Sequence, residues 1–142
     1  MNRIGYFCLL FLIWNATADC EPNTCTFKPP KVKIVQGVVV DVQNSPIKDT
    51  IIRLWSDGYH TKLIFGSKTD EVGRFRLPKV ESGSYYLEFQ APEYYDSQVE
   101  VKVSRLSSSN SGLLITPSFS SMGCSVRIKK RPLSRNERLP AK

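Results

Sequence analysis

Histidine is almost missing from this chain: His60 is the single one in 142 residues. A hydrolase needs a nucleophile or activated water, a base, and a group that orients the base. No Ser/His/Asp set can be assembled around His60, which stands beside the Asp57-Gly58 turn and reads as an exposed loop residue. Cysteine is scarce too. The four cysteines, Cys8, Cys20, Cys25 and Cys124, lack the paired spacing of zinc sites, so neither a metal nor another cofactor is expected. Long apolar runs are also lacking. Residues 4–14 form an apolar run of 11, against the roughly 20 that a spanning helix needs, and nothing later is longer and as apolar. Nor does any stretch carry a helical apolar period with caps, which excludes a helical domain.

What is present begins with that short run. Arg3 precedes it and Ala16-Thr17-Ala18 follows it, the arrangement of a secretory signal peptide cleaved after Ala18. The expectation is a secreted or periplasmic chain of residues 19–142 with no transmembrane segment. That length suits one domain able to bury a core without a metal. Export also favours disulfides. Cys8 leaves with the signal, so Cys20, Cys25 and Cys124 are the disulfide candidates, with three pairings open. A bond from Cys124 to Cys20 or Cys25 would staple the N-terminal segment to the last strand. It would stabilise the fold by on the order of 4 kcal/mol, and we favour it over the short Cys20–Cys25 loop. Thr17-Ala18-Asp19 is unlike a bacterial lipobox, so Cys20 is not read as a lipid anchor.

The formal charge is +7 and falls to +6 without Arg3. Residues 129–142 supply +5 of it: Lys129, Lys130, Arg131, Arg135, Arg138 and Lys142 stand against Glu137 alone. This segment reads as a basic flexible tail that keeps the protein soluble. An exported chain has little access to nucleic acid, so none is expected as a partner.

Residues 19–31 hold three prolines and no apolar period, and read as an extended N-terminal arm. Short strands follow over 32–42, 50–56, 62–69, 74–77, 85–90, 98–104, 113–116 and 124–128. Val32, Ile34, Val38, Val40 and Val42 share one parity in the first. Ile52 and Leu54 point inward in the second, with Arg53 and Trp55 outward. Asp70-Glu71-Val72-Gly73 makes a turn in which Gly73 can take a positive φ. Tyr85, Leu87 and Phe89 then share one face, and Tyr86, Glu88 and Gln90 the other. Seven to eight short strands with turn chemistry between them predict an all-β, antiparallel Greek-key β-sandwich over 32–128.

Several of these pieces resemble one family. Gly37-Val38-Val39-Val40-Asp41, Pro46-Ile47 and Thr50-Ile51-Ile52-Arg53-Leu54 follow a G-x-V-x-D … P-I … A-x-V-x-L pattern. Thr69-Asp70-Glu71-Val72-Gly73-Arg74-Phe75 follows T-D-x-x-G-x-F, and Gly83-Ser84-Tyr85-Tyr86-Leu87 follows G-x-Y-x-L. In that order they resemble the carboxypeptidase regulatory-like domain, a transthyretin-like β-sandwich, over roughly residues 34–103. In metallocarboxypeptidases the resemblance implies a domain that follows the catalytic one, with the zinc ligands in the partner domain. Some related surface-protein repeats form an internal Lys–Asn isopeptide bond helped by a buried Glu two residues after the Leu. Here that place is Phe89 and the last strand has no Asn, so no such bond is expected. Transthyretin-like hydroxyisourate hydrolases use several His, an Arg and a Tyr-Arg-Gly-Ser end. This chain has one His and ends Leu139-Pro140-Ala141-Lys142, which sets that activity aside.

The outward aromatics Trp55, Tyr59, Tyr86, Tyr94 and Tyr95 form the candidate recognition face. Such rings bury area at little entropic cost and suit sugar or protein. Cross-strand pairing, or packing under the arm and tail, accounts for them as well. The expectation is an exported, non-enzymatic binding or structural module that contacts a protein or an extracellular glycan. The alternatives are an accessory subunit of a separately encoded hydrolase and a small transthyretin-like hydrolase.

Overall fold

A computed structural model describes residues 28–119 and 126–140. The signal segment, most of the arm, and Cys20, Cys25 and Cys124 lie outside them, as do the pairings proposed for those cysteines. Nine strands are formed: β1 (Lys31–Val32), β2 (Gln36–Val39), β3 (Ile51–Trp55), β4 (Leu63–Lys68), β5 (Arg74–Arg76), β6 (Gly83–Gln90), β7 (Ser97–Val103), β8 (Ser111–Pro117) and β9 (Val126–Pro132). They build two sheets, ordered β1-β7-β6-β3-β4 and β5-β2-β8-β9. No α-helix occurs among the described residues. The all-β sandwich expected from the period-2 pattern is what forms.

The alternation works as it should. Ile52 and Leu54 from β3, Leu87 and Phe89 from β6, Val101 from β7, Leu113 and Ile115 from β8, and Phe75 from β5 meet between the sheets. Each is essentially excluded from solvent, and burial of such a side chain contributes about 1.5–3 kcal/mol. Val126 and Ile128 close the core from β9.

Three features differ from the pattern read along the chain. First, the sheets are mixed: β1 runs parallel to β7, and β2 parallel to β8, while the other pairs are antiparallel. Second, the strand expected over 32–42 is broken. Val32 pairs with Val103 in one sheet, the chain bends at 33–35, and Gln36 pairs with Arg76 in the other. Crossing between sheets changes the parity, so Val35 and Val39 face the core while Val38 and Val40 face the opposite side of their sheet. Third, residues 129–140 are not a free tail, and the boundary expected at 128 is corrected. Lys129, Lys130, Arg131 and Pro132 complete β9 beside β8. The chain then crosses the outer face of the second sheet, where Leu133, 2% exposed, covers Val38, Val40 and Leu114. Gly112 leaves room for it, since an ideal Cβ there would lie 2.7 Å from Leu133 Cδ1. A 3-10 turn at Arg135–Glu137 follows.

That strap is tied by polar contacts as well. Arg131 grips Glu137 with two guanidinium bonds of 2.9 and 2.5 Å. The Ser134 amide donates to the same carboxylate at 2.9 Å. Arg131, helped by Ser134, holds the Glu137 carboxyl down to about 2 against its ordinary 4.5, although partial burial pulls the other way. Arg74 Nη1 donates to the Asn136 carbonyl at 2.6 Å, and Arg76 Nη1 to that of Leu139 at 3.0 Å. The basic character read as solvation is spent partly on anchoring.

Candidate functional site

The motif residues bind backbone. Asp41 Oδ1 accepts the amides of Gln43 and Ser45, both at 2.8 Å, and so shapes the turn after β2. Thr69 Oγ1 donates to the Ile47 carbonyl at 2.8 Å and accepts the Thr50 amide at 2.9 Å, which joins the end of β4 to the start of β3. Asp70 accepts the amides of Val72 (3.1 Å) and Arg74 (2.8 Å), and the Arg74 Nε at 2.7 Å. Its burial would push the carboxyl up, but the Arg74 and Val72 contacts outweigh that and hold it below the usual carboxylate range. Gly73 has φ +72°, and its carbonyl accepts the Val39 amide at 2.8 Å. Three donors thus hold Asp70 as a cap on the turn.

Of the five outward aromatics, two are neighbours. Trp55 on β3 pairs directly with Tyr86 on β6, and both lie on the outer face of the five-stranded sheet. The β3–β4 loop folds back over them. His60 stacks on Trp55 with ring centroids 4.8 Å apart, and its Nε2 is 3.0 Å from Gln98 Oε1 on β7. Gly58 lies so close to Tyr86 that a Cβ would stand 3.3 Å from its ring. Trp55 Nε1 donates to Glu88 at 2.7 Å, and Glu88 also takes Arg53 (3.4 Å) and Gln90 (3.2 Å). That network explains why Glu88 is buried although it points outward. The loop is held by Asp57, which accepts the Thr61 hydroxyl at 2.6 Å and the amides of Tyr59 and Thr61. The Thr61 hydroxyl leads in drawing the Asp57 carboxyl down to about 2. At the loop tip Tyr59 is 91% exposed.

Tyr94 and Tyr95 belong elsewhere. Trp55 is followed by one end of the sandwich, whereas β6 reaches the other end at Gln90, beyond which these two tyrosines lie. Tyr94 stacks on Phe119 at 4.1 Å, and burial, with Asp41 and Glu93 nearby, raises its phenol above the ordinary value. Tyr95 is half exposed. The candidate face therefore divides into a covered Trp55–Tyr86 pair, an exposed Tyr59, and a separate pair at the opposite end.

Reading along the chain missed a groove on the open side of the sandwich. It runs between β4, the edge of one sheet, and β5, the edge of the other, with a volume of about 640 Å³. Ile34, Phe75 and Leu77 line its apolar part, and Leu139 and Pro140 of the strap complete the wall. Lys68, Arg74, Arg76 and Lys79 line it against a single acid, Asp70. Asp70 is already bound to Arg74, and the Lys68 and Lys79 ammonium groups meet no partner among the described residues. The only signal in the sequence was four cations within 68–79, on both sides of the 70–73 turn.

Residues 34–111 match the family model of the carboxypeptidase regulatory-like domain. Among solved structures, a 5-hydroxyisourate hydrolase of Klebsiella pneumoniae is similar at 14% identity, with a TM-score of 0.46, covering 74% of this chain and 96% of that one. No curated protein matches.

Proposed function

Because this chain belongs to the carboxypeptidase regulatory-like domain family, we propose that it is an exported, non-enzymatic module that binds a protein. The observation that carries the reading is how the family's polar motif residues are used. Asp41, Thr69 and Asp70 all bind turn and strand-end backbone groups, which supports a scaffold whose surfaces do the work. His60 contacts Trp55 and Gln98 rather than a nucleophile and an orienting carboxylate, which favours binding over hydrolysis. Protein is favoured over glycan because Gly58 and His60 already occupy the two rings that would stack on a sugar. The N-terminal signal pattern supports export.

The test is affinity capture of extracellular proteins on immobilised residues 19–142, at moderate salt. One protein retained in stoichiometric amount, and retained again when the two are mixed pure, is the expected result. If no protein is retained, or a glycan array alone binds, the reading is wrong.

A further inference from the structure

The groove between β4 and β5 borders the edges of both sheets. Among the described residues β4 pairs only with β3, which leaves its other side as a strand edge with no partner strand among them. The Thr69 amide donates to the Thr50 carbonyl, toward β3, at 3.0 Å. Antiparallel alternation then directs the amide and carbonyl of Lys68 and Gly66 away from β3, toward the groove side. An exposed edge of this kind is a template for another strand unless it is covered or charged against pairing. Here four of the five charged side chains that line the groove are cations, beside the apolar Ile34, Leu139 and Pro140.

We propose that this groove binds an extended, acidic segment of a protein partner, which adds as a strand to the edge of β4. The inference rests on the binding-module reading above. Main-chain bonds to Gly66 and Lys68 would supply affinity that is indifferent to side chain. Alternate residues of the segment would face Ile34 and the Leu139–Pro140 wall, with the buried Phe75 and Leu77 behind them, and the others would carry carboxylates toward Lys68 and Lys79. Charge complementarity selects acid: four cations against one acid leave a net +3 around the groove, and the single acid is neutralised internally by Arg74. Arg74 and Arg76 are committed to Asn136 and Leu139, so the two lysines are the cations available to a ligand. The strap carbonyls they hold shape the wall without filling the groove.

The probe is a blocked nine-residue peptide alternating valine with glutamate, titrated into 15N-labelled residues 19–142. A second peptide has glutamine for glutamate, and a third is N-methylated at alternate residues. The expected result is shifts centred on Gly66 and Lys68, at least tenfold weaker binding of the glutamine peptide, and loss of binding for the N-methylated one. The chain carrying Lys68→Glu and Lys79→Glu should bind at least tenfold more weakly while keeping its remaining spectrum, since both side chains are exposed. Equal binding of the glutamine peptide, shifts confined to the 57–61 loop, or no binding at millimolar peptide would overturn the proposal. So would a dimer that buries β4 against its own copy. If a captured partner binds the double variant as well as it binds the native chain, the groove assignment falls while the binding-module reading stands.

Discussion

Removing the Leu133 side chain should loosen the strap from the second sheet, and the structure sets the size of the effect. Leu133 is buried on Val38, Val40 and Leu114 and has Gly112 beneath it. Leu→Ala at buried sites costs about 2–5 kcal/mol. The strap lies on the outer face and can settle into the space left, so Leu133→Ala should cost ~2–3 kcal/mol. Gly112→Ala attacks the same contact from below. Its new Cβ would lie 2.7 Å from both Cδ1 and Cγ of Leu133, so the side chain cannot simply rotate its tip away. Overpacking of this kind costs about 1–3 kcal/mol. In the Leu133→Ala background the obstacle is gone, and Gly112→Ala should cost close to nothing. Urea unfolding of the four chains, followed by circular dichroism, gives the coupling directly. A coupling of about 1 kcal/mol or more is expected. Additivity to within about 0.5 kcal/mol, or a Leu133→Ala effect below that size, would refute the seating of the strap.

Gly73→Ala should destabilise by roughly 3 kcal/mol, because φ is +72° and a Cβ would collide with the Val39 carbonyl oxygen. A loss under about 1 kcal/mol in the same urea assay would contradict the turn assigned to it. Trp55→Phe removes the 2.7 Å bond to Glu88 and should cost about 1–3 kcal/mol, the penalty of leaving a buried carboxylate short of a donor. Unchanged stability would mean that Arg53 and Gln90 satisfy Glu88 without it. The folded Glu137 carboxyl, at about 2, titrates below its ordinary 4.5, so its contribution to the strap is complete above about pH 4.5 and is lost as pH falls through 2. For a pair this near the surface that is of order 1 kcal/mol. The Ser134 amide resonance, bonded to that carboxylate, should titrate with a midpoint near 2, and a midpoint near 4.5 would show that the Arg131 contact does not form in solution.

Local chemistry in the sequence was legible, and long-range placement was not. The β5–β6 stretch could be read because Phe75, Leu87 and Phe89 alternate with polar residues and the 70–73 turn has the only positive-φ glycine among those described. The break near residue 34 was hidden because valines continue through it on one parity, and only pairing with Val103 and then Arg76 reveals two sheets. The strap was hidden by its charge. Its seat consists of Val38, Val40, Leu114 and a missing Cβ at Gly112, none adjacent to it in sequence. Outward positions of Trp55 and Tyr86 followed from parity, yet their cover by His60 and Gly58 depends on how one loop folds back. The groove depends on which strands become sheet edges, a property of strand order that no single stretch records.

This scaffold is proposed to bind a protein at its open β4–β5 side. Amide hydrogen exchange of residues 19–142, alone and with the captured partner, tests it most directly. Protection gained at Gly66 and Lys68, with the 57–61 loop unchanged, is the expected outcome. Protection of that loop, or of the Tyr94–Phe119 end, with Gly66 and Lys68 still exchanging as before, would contradict it.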